Sequence, residues 1–269
     1  MSDGKALVLS NSKDDILSDE DSVESLPTPT NSPVISDLPD EDLESLAESV
    51  SNLNIEGGND KKIKRPVIPK KITPKMARSE LDYYREIMYS PTSREDLEYM
   101  LDNQVHIVSY QELLTFNTLD DLLEDYGAAI ILYPNAGTNV GHWCCIFFMP
   151  GTDIIQFFDP YGVYPDDQLD DFNYDSDTIH KRTQFPPKIL ELLLDTPYRV
   201  RYNEFPLQNL SLAANTCGLW CVFRLKNRSL TEEQFKKLFY DVPVNKNISP
   251  DLALSRLTAI VYPEYRPNI

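Results

Sequence analysis

What most restricts the fold of this chain is the uneven placement of charge and of large apolar side chains along its 269 residues. Residues 1–60 carry 15 Asp or Glu against two Lys, while residues 61–78 carry eight Lys or Arg and no acid. Residues 79–269 hold 28 acids and 15 bases, together with nearly all of the Tyr, Phe and Trp. A segment rich in Ser, Asp, Glu and Pro and poor in aromatics cannot bury enough apolar surface to offset the entropy lost on ordering, so residues 1–60 are expected to be a disordered acidic tail. Pro66, Pro69 and Pro74 hold residues 61–78 extended, as a basic linker. The remaining ~190 residues suffice for one domain that buries about 70% of its unfolded surface.

No run approaches the ~20 apolar residues of a membrane span, and the N-terminus lacks the basic start and apolar stretch of a secretory signal. The expectation is a soluble protein of a reducing, intracellular compartment, with Cys144, Cys145, Cys217 and Cys221 as thiols. The acidic surface of residues 79–269 argues against nucleic acid as the main ligand of the domain. The stretch Lys61 to Arg78 is suited to nucleic-acid contact, to nuclear import, or to pairing with the acidic tail.

From Ser79 the apolar spacing is helical through Met100, interrupted at Ser90 and Pro91, and Thr118 to Tyr126 reads as a further helix capped by Thr118. The period then changes. Ala128 to Tyr133, Trp143 to Met149 and Asp153 to Phe158 read as strands, and Pro150, Gly151 and Thr152 make the last two a hairpin. A helix over Pro187 to Asp195 and a strand over Tyr198 to Tyr202 follow. Leu219 to Leu225, Thr231 to Tyr240 and Pro250 to Val261 return to helix, the last capped by Ser249. The fold class expected is α+β, a small mixed β-sheet packed by helices.

Four residues offer the parts of thiol-based acyl transfer, which needs a nucleophile, a base, a group to orient the base, and oxyanion donors. Cys217 stands in Asn-Thr-Cys-Gly just before an apolar helix, where unpaired N–H groups and the helix dipole favour a thiolate. Gly218 leaves room for a substrate backbone. His142, in Gly-His-Trp, opens a strand; it is either a structural histidine or a base aimed into a cleft. Asp159 ends the next strand and, in a hairpin, would lie beside His142 to fix its tautomer, although Asp before Pro-Tyr-Gly is also a common turn residue. Gln208 has an amide able to donate to an oxyanion, or is a surface glutamine. Cys144, Cys145 and Cys221 fit small core thiols.

The order Gly-His-Trp, an Asp after Ile-Gln-Phe-Phe, a Gln, then Asn-Thr-Cys-Gly resembles the cysteine peptidase clan of the adenovirus maturation protease and the Ulp-type SUMO proteases, over about Tyr126 to Phe239. The resemblance implies His142 as base, Asp159 as its orienting acid, Gln208 in the oxyanion hole, Cys217 as nucleophile, and no cofactor. It implies protein substrates with Gly-Gly-type cleavage sites, and Trp143 as the aromatic over a narrow channel; taken alone, Trp143 reads as core. The short strands and the Phe-Asp-Pro-Tyr-Gly turn look closer to maturation proteases of large DNA viruses, which would act in the host cytoplasm, virion or nucleus. The alternative within the clan removes SUMO or ubiquitin-like proteins. Gly57 and Gly58, after Ile55 and Glu56, are either a flexible spacer or a self-cleavage site. A zinc module built from His142, Cys144 or Cys145, Cys217 and Cys221 is a different class, opposed by the spacing: residues 144 and 145 of a strand face opposite ways.

Overall fold

Short polar punctuation, rather than long helices, sets the layout. The structure is a computed structural model, and it describes residues 80–134, 141–167, 169, 185–210, 214–240 and 249–265. The acidic tail, the basic stretch, the boundaries expected at 60 and 78, and Gly57 and Gly58 lie outside the described residues.

Helix α1 (Glu80–Tyr89) runs into Ser90 and Pro91, and α2 (Arg94–Met100) restarts behind Ser93, whose hydroxyl accepts from the Asp96 N–H while the Asp96 carboxylate accepts from the Ser93 N–H. The same reciprocal capping starts α3 (Tyr110–Leu113) at Ser109 with Glu112, and α4 (Leu119–Leu123) at Thr118 with Asp121. Strand β1 (His106–Ser109) precedes α3; β2 (Ala128–Pro134), β3 (Gly141–Phe148) and β4 (Ile154–Phe158) follow α4. Then come α5 (Lys188–Leu194), β5 (Arg199–Tyr202), α6 (Cys217–Lys226), α7 (Glu232–Tyr240) and α8 (Pro250–Val261), the last capped by Ser249 with Pro250 in its first turn.

The five strands form one sheet in sequence order, and the outer pairs β1–β2 and β4–β5 are parallel while β2–β3 and β3–β4 are antiparallel. The architecture is therefore α+β with a mixed sheet, as the sequence pattern implied. Alternation along each strand feeds two cores. Ile130, Trp143, Cys145, Phe147, Ile154 and Phe158 meet apolar residues of α1, α2, α6, α7 and α8 on one face. Ile131, Cys144, Ile146, Ile155 and Phe157 meet α3, α4 and α5 on the other. Cys144 and Cys145 thus do face opposite layers.

Two elements are absent from the sequence reading, β1 and α3. The run His-Ile-Val-Ser has only two apolar residues and no visible alternation; it becomes a strand because β2 offers it a parallel register, His106 against Ala129 through Ser109 against Leu132. Helix α4 is shorter than the expected span to Tyr126, and α6 begins earlier, with Cys217 as its first residue rather than before it.

Helix α6 is buried along nearly its whole length, including Arg224, which is fully buried. Its guanidinium donates to the carbonyls of Asn227 (2.8 Å) and Leu230 (3.0 Å) and to the Gln156 side-chain oxygen, and lies over the rings of Phe147 and Phe235. Gln156 passes the contact on to Glu232 at 2.8 Å. Burial lowers Arg224 from its ordinary value to about 10, so it stays charged at neutral pH. This fork ties α6, and hence its first residue, to the middle of β4. Replacing it by Arg224→Met leaves buried oxygens without donors and is expected to cost about 3 kcal/mol, read from urea unfolding, with no recovery in Arg224→Lys, which lacks the planar fork.

Candidate functional site

The hairpin of β3 and β4 brings the first pair of residues together by register alone. Cys145 stands opposite Phe158, which sets Asp159, one residue beyond β4, across from Cys144 and diagonal to His142 on the same face. The imidazole Nε2 lies 3.1 Å from Asp159 Oδ1, and both side chains are buried, at 2% and 1% exposure. At that depth the imidazole is held in one orientation rather than fluctuating in solvent.

Asp159 is itself fastened. Its backbone N–H donates to Asn203 Oδ1 (2.9 Å) and its carbonyl accepts from Asn203 Nδ2 (2.6 Å), extending the β4–β5 pairing one residue past Tyr202. Its Oδ1 also accepts from the Tyr161 N–H at 2.7 Å. The turn closes with Gly162, at φ 69°, where a Cβ would come within 2.6 Å of the Phe205 carbonyl carbon. That close approach seats residues 205–208 on the turn, and the N–H groups of Leu207 and Gln208 both donate to the Pro160 carbonyl at 2.9 Å. The Tyr161 ring stacks on His142, with centroids 4.4 Å apart and planes at 17°.

Gln208 is buried. Its Nε2 donates to the Ala214 carbonyl (2.6 Å) and, less closely, to the Tyr161 hydroxyl (3.2 Å). Its amide thus spans the turn that carries Asp159 and the segment that leads to Cys217.

Cys217 is the first residue of α6 and is 7% exposed. Thr216 occupies the N-cap, yet its side chain does not cap; the hydroxyl donates instead to Asp251 at 2.5 Å, so no side chain occupies the first-turn N–H groups beside the thiol. Asn215 anchors the approach to the helix, through its N–H to the Met88 carbonyl (2.8 Å) and its amide to the Tyr89 carbonyl (2.6 Å).

His142 interacts with the thiol as well as with the carboxylate. Burial, the largest influence, disfavours its charged form; the Asp159 charge and hydrogen bond, followed by the hydrogen bond and charge of Cys217, outweigh it and raise the group from 6.5 to about 10. Burial likewise raises the thiols of Cys144 and Cys221 well above their ordinary value, keeping them protonated. All four cysteines are free.

Two expected substrate contacts find other partners. Trp143 belongs to the first core, is 8% exposed, and donates its indole N–H to the Thr92 carbonyl at 2.9 Å. A Cβ at Gly218 would lie 2.6 Å from Thr92 Cβ, so the space the sequence reading reserved there for a substrate backbone is filled by Thr92. The lack of a side chain at 218 serves helix packing. Among the described residues no group of three or more His, Cys, Asp or Glu is gathered to hold a metal ion, and Cys144 and Cys145 sit on opposite sheet faces. Sequence reasoning missed Tyr161, Asn203, Thr92 and Asp251. Only Tyr161, inside Asp-Pro-Tyr-Gly, had a local signal; the others act through distant neighbours.

Two outcomes follow from this geometry. Gly218→Ala is expected to destabilise by about 1–3 kcal/mol despite the better helix propensity of Ala, and Thr92→Gly in the same chain should recover most of the loss; simple additivity in urea unfolding would contradict the packing account. Since native His142 holds its proton up to about 10 and the unfolded imidazole releases it near 6.5, folded stability is full below about pH 6.5 and declines as pH rises toward 10. Urea midpoints across that range should fall more steeply in the wild type than in His142→Gln; parallel curves would mean the imidazole is not held charged.

No family model matches the sequence. A solved structure of the SUMO protease Ulp1, with its catalytic cysteine oxidized to a sulfinic acid, aligns over 86% of this chain and 98% of that one, at a TM-score of 0.31 and 12% identity. An uncharacterized protein of Sputnik virophage, V9, is 37% identical over 182 residues, which are 66% of this chain and 98% of the virophage protein. A match of that identity spanning nearly all of the relative establishes common descent: the chain belongs to the family of the V9 protein of Sputnik virophage.

Proposed function

We propose that this protein is a cysteine endopeptidase, with residues 79–269 as the peptidase domain, that cleaves viral structural proteins during maturation. The observation that carries the reading is one buried imidazole with Asp159 at 3.1 Å from Nε2, raised in basicity by that carboxylate and, to a lesser degree, by Cys217 at the start of a ten-residue helix. A purely structural histidine has no need of a thiol at a helix N-terminus.

In this reading Nε2–H is committed to Asp159 and Nδ1 holds the proton that Cys217 gives up, in keeping with an imidazole that stays charged up to about pH 10. The thiolate attacks a peptide carbonyl carbon and the oxygen becomes an oxyanion. Collapse returns that electron pair, breaks the C–N bond, and sends the proton from His142 to the leaving amine, leaving a thioester; water, deprotonated by His142, hydrolyses it and regenerates the thiol. The Cys217 N–H supplies one oxyanion donor, and Gln208 the second by exchanging its 3.2 Å contact with Tyr161 for the substrate oxygen.

The viral setting rests on the virophage relative. The Gly-Gly preference, the roofing of a channel by Trp143, self-processing after Gly58, and nucleic-acid contact through Lys61 to Arg78 are parts of the same proposal that extend past the described residues or past the geometry of the site.

Cys217→Ala and His142→Ala are each expected to abolish peptide cleavage, while Cys145→Ala and Cys221→Ala retain most of it per folded molecule. Gln208→Ala should lower turnover by roughly 10²–10³. The measurement is cleavage of a peptide library containing Gly-Gly sites beside a SUMO fusion, with mapping of the cysteine labelled by a thiol-directed probe. Full activity in Cys217→Ala would overturn the assignment, and preferential cleavage of the SUMO fusion would move the substrate class to ubiquitin-like proteins.

A further inference from the structure

One fully buried carboxylate reaches both segments that carry the proposed chemistry, although it belongs to neither. Asp251 lies in the first turn of α8 and is fully buried. Its Oδ1 accepts from the Thr216 hydroxyl at 2.5 Å and from the Trp220 indole N–H at 3.0 Å; its Oδ2 accepts from the Asn209 backbone N–H at 3.0 Å. Thr216 directly precedes Cys217, and Asn209 directly follows Gln208.

We propose that Asp251 is a positioning residue that holds the nucleophile and the Gln208 loop at a fixed separation, so that an oxyanion formed at Cys217 meets the Gln208 amide. The inference rests on the peptidase reading and deepens it. Each oxygen of the carboxylate has its own task. Oδ1 fixes the entrance to α6 through two donors, one before Cys217 and one a turn beyond it. Oδ2 fixes the loop. The two oxygens are rigidly joined, so a displacement of either segment is felt by the other. A charged acceptor makes these bonds stronger than neutral ones, which suits a group that must resist movement when substrate enters. The same contact explains why Thr216 leaves its own helix uncapped: its hydroxyl serves the tether, and the N–H groups beside the thiol stay open toward the site.

The two tethers separate by mutation. Asp251→Asn keeps an oxygen for Thr216 and Trp220 but turns an amide N–H toward the Asn209 N–H, releasing the loop alone. Thr216→Val releases the nucleophile segment and leaves the loop tied. Three quantities decide: kcat and KM for the best peptide, and the rate at which iodoacetamide alkylates Cys217. For Asp251→Asn, kcat per alkylatable Cys217 should fall about 10- to 100-fold, with KM and the alkylation rate within about threefold of wild type. For Thr216→Val, kcat and alkylation should fall together, by about tenfold. Ser255→Ala, which removes a hydroxyl bonded to the Asp251 carbonyl at 2.8 Å, matches the loss of stability without touching the carboxylate and should keep wild-type kcat. The proposal is overturned if Asp251→Asn keeps kcat within about twofold, if its kcat and alkylation fall in equal proportion, or if Ser255→Ala loses as much turnover at equal stability. Should Asp251→Asn not fold, Thr216→Val alone decides, since wild-type alkylation and turnover in that variant would remove the tether. A wild-type protein that cleaves no peptide and alkylates no faster than an unfolded thiol fails the peptidase reading itself, a result separate from any of these.

Discussion

The contact between His142 and Asp159 is the constraint around which the rest of the molecule is arranged, because a carboxylate and an imidazole cannot both be removed from water without compensating one another. Their depth is affordable only while the two strands hold register. A one-residue slip of β3 against β4 would turn His142 to the opposite face and deprive the buried carboxylate of its imidazole. The latch from Asn203, the turn closed by Gly162 and the seating of residues 205–208 on Pro160 all secure the same end of the sheet. The opposite end of these strands is fastened differently, by the Thr152 turn and by the exposed ion pair of Asp153 with Arg199.

A second constraint comes from helix α6, which is almost entirely buried and cannot rotate without emptying the first core. Arg224 pins its far end to Gln156 on β4, while Thr216 and Trp220 pin its near end to α8. The thiol therefore projects from a rod clamped at both ends. This is the preorganisation that the proposed acyl transfer demands, since reacting atoms misplaced by an ångström lose most of the advantage of being held together.

Much of this was legible from the chain itself, and the limits have physical causes. The hairpin could be read because Pro150, Gly151 and Thr152 interrupt two apolar runs, and a hairpin brings His142 and Asp159 together whatever surrounds it. Cys217 was legible because a helix begins there. Strand β1 was not: four residues stabilised by a partner lying 23 positions on have no local signature. Nor was Asp251, which in the sequence is an ordinary acid in a first helical turn and gains its meaning only from Thr216, Trp220 and Asn209, each more than 30 positions away. Gly218 was legible as a glycine required at that position, but the reason differs, since Thr92 from the loop between α1 and α2 fills the space.

The parallel outer pairs of the sheet bear on when the chain could act at all. Hairpin β3–β4 needs only neighbouring residues and can form early, but β1 on β2 and β5 on β4 require long loops to close first, and α6 must then dock on the assembled face. Among the described elements, α8 is the last to be synthesised. A chain emerging from the ribosome would thus hold its imidazole and carboxylate in place well before the thiol segment and its clamp were complete. On the proposed reading, nascent or partly folded copies would lack the assembled site, and competence would come only with the finished fold.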